Sequence, residues 1–265
     1  MGTSGSRSVV IPALALLLVA AVAADIVRRA VDGAGAARPP AASQPGPGGT
    51  VADAREAAPS SGPSAPTPTD RLDSTSRALA LARIEREGTG TYLPAMLAGN
   101  DSVLHRWADE RVKQPLRVAV LRDAAVPGFR EIFLANVAWA IGRWNAIGLP
   151  LWLEQSPDSS GADIVVGWVD RLDSNRTGRT DLTWQRRGPI VKVRVLLATH
   201  LPDGRPVQPS QMVALALHEL GHAIGLGHST VRSDALYPET SATDLTSRDR
   251  GTATLLYALP PGSLK

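Results

Sequence analysis

The spacing of apolar residues in the second half of the chain predicts an alternation of strands and helices. Five stretches have the alternating or continuous apolar pattern that is typical of strands. These predicted strands are residues 116–121, 151–154, 162–169, 180–184 and 190–198. Between the first two, residues 129–147 have apolar side chains at helical spacing, and Gly148 ends the pattern. The order of these elements predicts an α+β domain.

Two further helices are predicted after the last strand. The first would be capped by Ser210 and would run through an apolar stretch into residues 218–228. The second covers residues 247–257, where Thr246 precedes the helix and Asp249 follows three residues later. This pair has the spacing of a capping box, in which each side chain bonds to the other residue's backbone N–H. Residues 113–265 are therefore expected to form the main domain.

Residues 71–112 are predicted to form a helical N-terminal segment. Residues 71–87 and 92–107 each have apolar side chains among polar ones, at spacings that suit amphipathic helices. The segment is expected to pack on the main domain. A propeptide role is the alternative, and the sequence leaves it open.

The first part of the chain has a composition that does not suit a folded core. Residues 9–24 form an apolar run after Arg7, short for a transmembrane span and long for the core of a signal peptide. Residues 1–30 are predicted to be a signal peptide or an N-terminal membrane anchor. The protein is therefore expected to be exported, to the extracellular space or the periplasm. Residues 31–70 are rich in Ala, Pro, Gly, Ser and Thr, which predicts a disordered linker.

Composition and charge limit the classes of function. The chain has 265 residues, of which 43% are hydrophobic, enough for one well-packed domain. Its formal net charge is only +3, which gives no reason to expect a nucleic-acid partner. Because there is no cysteine, disulfides, thiolate zinc ligands and cysteine nucleophiles are excluded. A monomer is the expected form.

The residues that could carry out chemistry are concentrated in one segment, which holds three of the five histidines of the chain. His218 and His222 are four residues apart, so a helix places them on one face, where both can bind one zinc ion. Glu219 lies beside the first ligand and can reach a water on the metal. Gly225 permits a sharp turn that returns His228 as a third ligand. A lone His-Glu-x-x-His also occurs by chance in surface helices, but the glycine and the third histidine favour a catalytic zinc site.

This segment resembles the signature of the metzincin metallopeptidases, His-Glu-x-x-His-x-x-Gly-x-x-His. Ser229, directly after the third histidine, is similar to the matrixin branch of that family. Residues 244–257 resemble the closing helix of the same branch. The tetrapeptide that resembles the matrixin Met-turn is Ala235-Leu236-Tyr237-Pro238.

The resemblance implies a metzincin fold, with a mixed, mostly parallel five-stranded sheet, an active-site helix and a C-terminal helix. It also implies a zinc-dependent endopeptidase, in which Glu219 takes a proton from the zinc-bound water and passes it to the leaving amine. A protein or peptide substrate would lie antiparallel to the edge strand at residues 180–184. The residues that would support the site are Gly225, Leu236, Tyr237 and Pro238. Calcium sites are common in the family, but the sequence does not reveal one here.

Three departures from the family pattern affect this interpretation. Leu236 stands where the family has the methionine of its Met-turn. Without cysteine, the thiolate latency switch of the family cannot operate. Only His105 and His200 remain outside the motif, too few for a second, structural zinc site. Two alternatives stay open: a zinc hydrolase of a non-peptide substrate, and a catalytically weakened, zinc-stabilised binding module.

Overall fold

A computed structural model describes residues 72–99, 102–173, 175–185 and 188–265. The chain divides into two units, Met1–Ser60 and Ser61–Lys265, and all the described residues belong to the second. The predicted signal peptide or anchor, with its apolar run at residues 9–24, lies outside the described residues. The linker predicted at residues 31–70 also lies outside them.

In the described part of the chain, six helices accompany eight strands. The helices are α1 (Ser74–Glu87), α2 (Leu93–Gly99), α3 (Asp109–Val112), α4 (Ile132–Asn145), α5 (Pro209–Ala223) and α6 (Ser247–Tyr257). The strands are β1 (Val103–Leu104), β2 (Arg106–Trp107), β3 (Leu116–Val120), β4 (Leu153–Gln155), β5 (Ile164–Val169), β6 (Gly178–Trp184), β7 (Pro189–Ala198) and β8 (Gly262–Ser263). No helix among these is long and apolar enough to cross a membrane.

The main sheet is mixed and mostly parallel, as the resemblance to metzincins implied. Its strands follow the order β2-β7-β5-β3-β4, in which every neighbouring pair is parallel, and β6 pairs with β7 in the antiparallel direction. All five predicted strands are present. The sheet has six strands because the two-residue β2 also pairs with β7, and so short a strand has no periodicity for a sequence pattern to detect.

The two long helices α4 and α5 pack against each other and connect the sheet to the candidate site. Trp144 of α4 is fully buried, and its indole N–H donates to the carbonyl oxygen of Leu217 in α5 at 3.1 Å. On the sheet side, the ring of Phe133 stacks on that of Trp168 with 5.9 Å between the centroids. Burial of each such aromatic side chain stabilises the fold by roughly 1.5–3 kcal/mol. Helix α5 is therefore held in place by α4.

The ends of the last two helices test the predicted caps. The box at α6 is confirmed, because Asp249 accepts from the N–H of Thr246 at 2.9 Å and donates its own N–H to the Thr246 hydroxyl at 3.2 Å. The prediction that Ser210 caps α5 was wrong. The helix begins at Pro209, whose ring fixes φ and whose missing N–H costs nothing at the first helical position.

The N-terminal segment is more varied than the predicted run of helix. Helix α2 ends at Gly99, and the apolar residues after it belong to the short strands β1 and β2. Strand β1 pairs with β8 near the end of the described chain. Helices α1 and α2 are therefore followed by two short strands, each paired with a distant strand, before α3 begins.

Candidate metal centre

The three predicted ligands are brought together at the end of α5. His218 and His222 lie one turn apart on this helix, whose last residue is Ala223. Gly225 then adopts φ +101°, a conformation that side chains rarely allow, and a Cβ there would lie 2.1 Å from the carbonyl oxygen of His105. The turn it makes brings His228 back towards the other two rings.

The geometry of the three histidines fits a single small cation. One ligand nitrogen of each residue lies within 4.8 Å of those of the other two, and the ring centroids are 4.6–5.3 Å apart. His218 is buried, His222 is partly exposed and His228 is exposed, so the group opens to solvent on one side. Within the described ranges, no other group of three histidine, cysteine or acidic residues is close enough to hold a metal.

The hydrogen bonds of two histidines determine which ring nitrogens face the cation. Nδ1 of His218 donates to the carbonyl oxygen of Ala235 at 2.8 Å, and Nδ1 of His222 donates to that of Leu226 at 2.7 Å. A neutral imidazole has only one N–H, so both Nε2 atoms are lone-pair acceptors. They face each other at 3.0 Å. Two lone pairs so close repel each other unless a cation lies between them, and two nitrogens on one tetrahedral zinc would be roughly 3.3 Å apart. These residues therefore fit zinc.

Burial keeps the ligand histidines neutral at physiological pH. It lowers the pKa of His218 to about 4 and that of His222 to about 3, and it also lowers the pKa of His228. A neutral imidazole keeps the lone pair that a metal requires, and three neutral ligands leave the full charge of the ion available to a substrate.

Glu219 lies beside the ligands and is almost fully buried, with 4% of its surface exposed. Burial raises the pKa of its carboxyl group to about 7. The hydroxyl of Thr180 donates to Oε2 of this carboxylate at 2.6 Å and so holds it in place. The sequence did not mark Thr180 as a site residue, and its position in the predicted edge strand was the only signal.

The tetrapeptide that resembles the Met-turn passes beneath α5. Leu236 is fully buried against α5, because a Cβ on Gly221 would lie 2.8 Å from its Cδ2. Its carbonyl oxygen accepts from the N–H of Ser229 at 2.9 Å. Tyr237 is partly buried, and Pro238 is exposed and lines the cleft. Gly225, Leu236 and Pro238 thus lie close to the histidines, and Tyr237 stands between Leu236 and Pro238 in the chain.

A cleft of about 640 Å³ opens beside the metal ligands. One wall is β6 and the residues just before it, the floor is α5, and the opposite wall is the loop from Pro238 to Thr243. Apolar side chains of Leu201, Val207 and Leu215 line part of it. A cleft with apolar side chains and a few polar groups is typical of a ligand-binding site.

The two other histidines are placed in structural roles. The Nδ1 atom of His105 donates to the carbonyl oxygen of Gly188 at 3.1 Å, and its ring packs against Trp184. His200 pairs with Asp170, with 2.6 Å between Nδ1 and Oδ1. Neither joins the ligand group.

Comparison with known protein families bears on the same region. The family model described as Matrixin matches residues 130–258, which include all three ligands, Glu219 and the turn at Leu236. This match supports a matrixin-like metzincin domain at residues 130–258. The resemblance read from the sequence is therefore confirmed, and the matrixin domain is of the zinc metallopeptidase class. A comparison with curated proteins found no match.

Proposed function

We propose that this matrixin is an exported zinc-dependent endopeptidase that uses Glu219 as its general base. The observation that carries the proposal is the arrangement of His218 and His222, whose unprotonated Nε2 atoms face each other. His228 and the buried carboxylate of Glu219 lie beside them. A purely structural zinc site has no need of an adjacent glutamate, whereas peptide hydrolysis is aided by a general base, such as a glutamate, that takes a proton from the attacking water.

The proposed mechanism assigns a role to each side chain at the site. His218, His222 and His228 would hold the ion. Zinc, when bound, supplies a Lewis acid that lowers the pKa of a water molecule and polarises the scissile carbonyl. Glu219 would accept a proton from the attacking water while the water oxygen bonds to the scissile carbonyl carbon. The proton passes to the amine nitrogen as the C–N bond breaks, which returns Glu219 to its charged form.

Thr180 holds the carboxylate of Glu219 in one orientation. Its single hydroxyl proton is donated to Oε2 at 2.6 Å, the shorter of its two contacts, and the backbone carbonyl oxygen of Glu219 lies 3.1 Å from the same hydroxyl. Oε1 lies against Gly178, where a Cβ would come within 2.2 Å of it. This arrangement supports a base whose position is set before the substrate arrives.

The substrate is proposed to be a protein or peptide bound along β6. Among the described strands β6 pairs with β7 alone, so its other edge has backbone groups to offer an extended peptide in the antiparallel direction. Arg179 and Asp181 of this strand form an ion pair, with 2.8 Å between their nearest atoms.

Export is proposed from the sequence alone. The apolar run at residues 9–24 would either be removed with a signal peptide or remain as a membrane anchor. In the second case the linker at residues 31–70 would tether the matrixin domain to the membrane surface.

The test of the catalytic proposal is Glu219→Gln in the full chain, with Glu154→Gln on the exposed part of β4 as a matched control. Glu219→Gln should keep one zinc per chain, because the ligands are untouched, yet cleave a diverse peptide library about 10²-fold or more slowly. The control should match the parent, and a chelator should stop cleavage by both. Turnover of Glu219→Gln near the parental value would remove Glu219 from the mechanism.

The same assay separates the alternatives. A parent that binds zinc but cleaves no peptide would support the zinc-stabilised binding module. A parent that hydrolyses small ester or amide substrates and no peptide would support a non-peptide hydrolase.

A further inference from the structure

Helices α1 and α2 precede the part of the chain that the matrixin model matches, yet their buried residues belong to the same core as the candidate metal site. Five apolar residues of this segment are buried: Ala80, Tyr92, Leu93, Met96 and Leu97. All of them belong to the same core as the ligand helix α5. Among the described residues the cleft is lined only by positions from Asn175 to Thr243, so this segment does not cover it.

Tyr92 connects the segment to the first zinc ligand through two further residues. Its hydroxyl donates to Oδ1 of Asp249 at 3.2 Å, and its N–H donates to the hydroxyl of Thr252 at 3.1 Å. The other carboxylate oxygen of Asp249 accepts from the N–H of Ala235 at 3.0 Å. The carbonyl of Ala235 in turn holds Nδ1 of His218. One tyrosine hydroxyl therefore stands at the start of a hydrogen-bonded path to a ligand ring.

Met96 supports the loop that returns the third ligand. Its Sδ atom accepts from the N–H of Gly227 at 2.8 Å, one residue before His228. A Cβ on Gly227 would lie 2.5 Å from Cγ of Met96, so the two residues are in close contact. Only 9% of the surface of Met96 is exposed. Removal of this side chain would leave the Gly227 N–H without its acceptor.

We propose that residues 74–99 are a permanent part of the active matrixin domain, in which Tyr92 and Met96 are positioning residues for His218 and His228. The inference rests on the zinc site of the proposed function. It opposes the propeptide interpretation, because a segment that is removed on activation would take both supports away from the ligands and expose the apolar residues they pack with.

The test compares zinc affinity in the full chain with and without each contact. Tyr92→Phe removes only the hydroxyl, and Met96→Leu removes only the sulfur acceptor at similar volume. The matched control is Arg83→Gln, because Arg83 ties the same segment to the carbonyl oxygen of Ala258 at 3.0 Å without leading to a ligand. Zinc dissociation constants are measured by competition with a chromogenic chelator, alongside melting temperature, kcat and KM.

Tyr92→Phe and Met96→Leu are each expected to weaken zinc binding about three- to tenfold, less than the 10–100-fold typical for a residue that contacts a ligand directly. The kcat of the zinc-saturated variants should fall while KM stays near the parental value. Arg83→Gln should lower the melting temperature and leave zinc affinity within twofold. Mass spectrometry of fully active protein should find residues 74–99 retained.

Two results would overturn the inference. In one, Tyr92→Phe and Met96→Leu bind zinc as tightly as Arg83→Gln does, at a similar loss of stability. The segment would then be a purely structural support. The other is a fully active enzyme whose chain begins after Gly99. A parent protein that binds no zinc would overturn the proposed function as well, whereas equal affinities in a zinc-binding parent overturn this inference alone.

Discussion

Leu236 belongs to the tetrapeptide that resembles the matrixin Met-turn, and its replacement tests whether packing against α5 supports the three histidines. The side chain is fully buried, and it fills the space above Gly221, which lies between His218 and His222 on α5. Trp144 is the other neighbour of this space. We consider two variants, Leu236→Ala and Leu236→Met.

The structure indicates that the cavity left by Leu236→Ala cannot close. Gly221 has no side chain to fill it, and Trp144 is held by the hydrogen bond from its indole N–H to Leu217. Buried Leu→Ala changes cost about 2–5 kcal/mol, and sites that cannot collapse lie in the upper part of that range. At roughly 2–4 °C per kcal/mol for a domain of this size, the melting temperature should fall by roughly 6–20 °C. Leu236→Met keeps the volume and should cost less than about 1.5 kcal/mol.

The assays are thermal unfolding, zinc content and peptide turnover of the parent and both variants. Leu236→Met should stay within about tenfold of parental turnover, because the thioether is a packing group and not a ligand. Leu236→Ala should lose zinc more readily, because the cavity lets the ligand rings shift. Indistinguishable behaviour of Leu236→Ala and the parent would refute the placement of Leu236 beneath the metal. If Leu236→Met activates an otherwise inactive protein, the parent is a degenerate enzyme and the binding-module alternative is preferred.

Three further predictions follow from the ligand set and the sequence. His228→Ala should lose zinc far more readily than His105→Ala in metal analysis, and an equal loss from His105→Ala would contradict the ligand set. Without metal, the protein should lose stability as the pH falls from about 6.5, because the folded-state pKa values of His218 and His222 lie below the unfolded value and protonation favours the unfolded chain. Melting temperatures in chelator should therefore depend less on pH in a His218→Gln/His222→Gln double variant, and identical profiles would contradict the assignment. N-terminal sequencing of soluble and membrane fractions should find the protein exported, either cleaved within residues 1–30 or retained on the membrane.

The ligand set was predictable because it depends on interactions between neighbours in the sequence. A helix fixes the geometry of His218 and His222 whatever surrounds it, and Gly225 signals the turn that returns His228. The capping box at α6 is local in the same sense. The cap of α5 was also a local feature, and it was misread because Pro209, and not Ser210, takes the first helical position.

By itself the sequence determined the strands, the long helices, the family resemblance and the three histidines that come together, all of which follow from the period of apolar residues or from a short motif. Only the tertiary structure decided what surrounds them. Thr180 reaches Glu219 across 39 positions of sequence, and Tyr92 reaches Asp249 across 157. The raised pKa of Glu219 likewise comes from its burial beneath β6 and not from the residues beside it in the chain. The period of apolar residues indicates which face of a helix or strand is buried. Which residues that face contacts, and how far a side chain is removed from water, depend on how distant elements pack together.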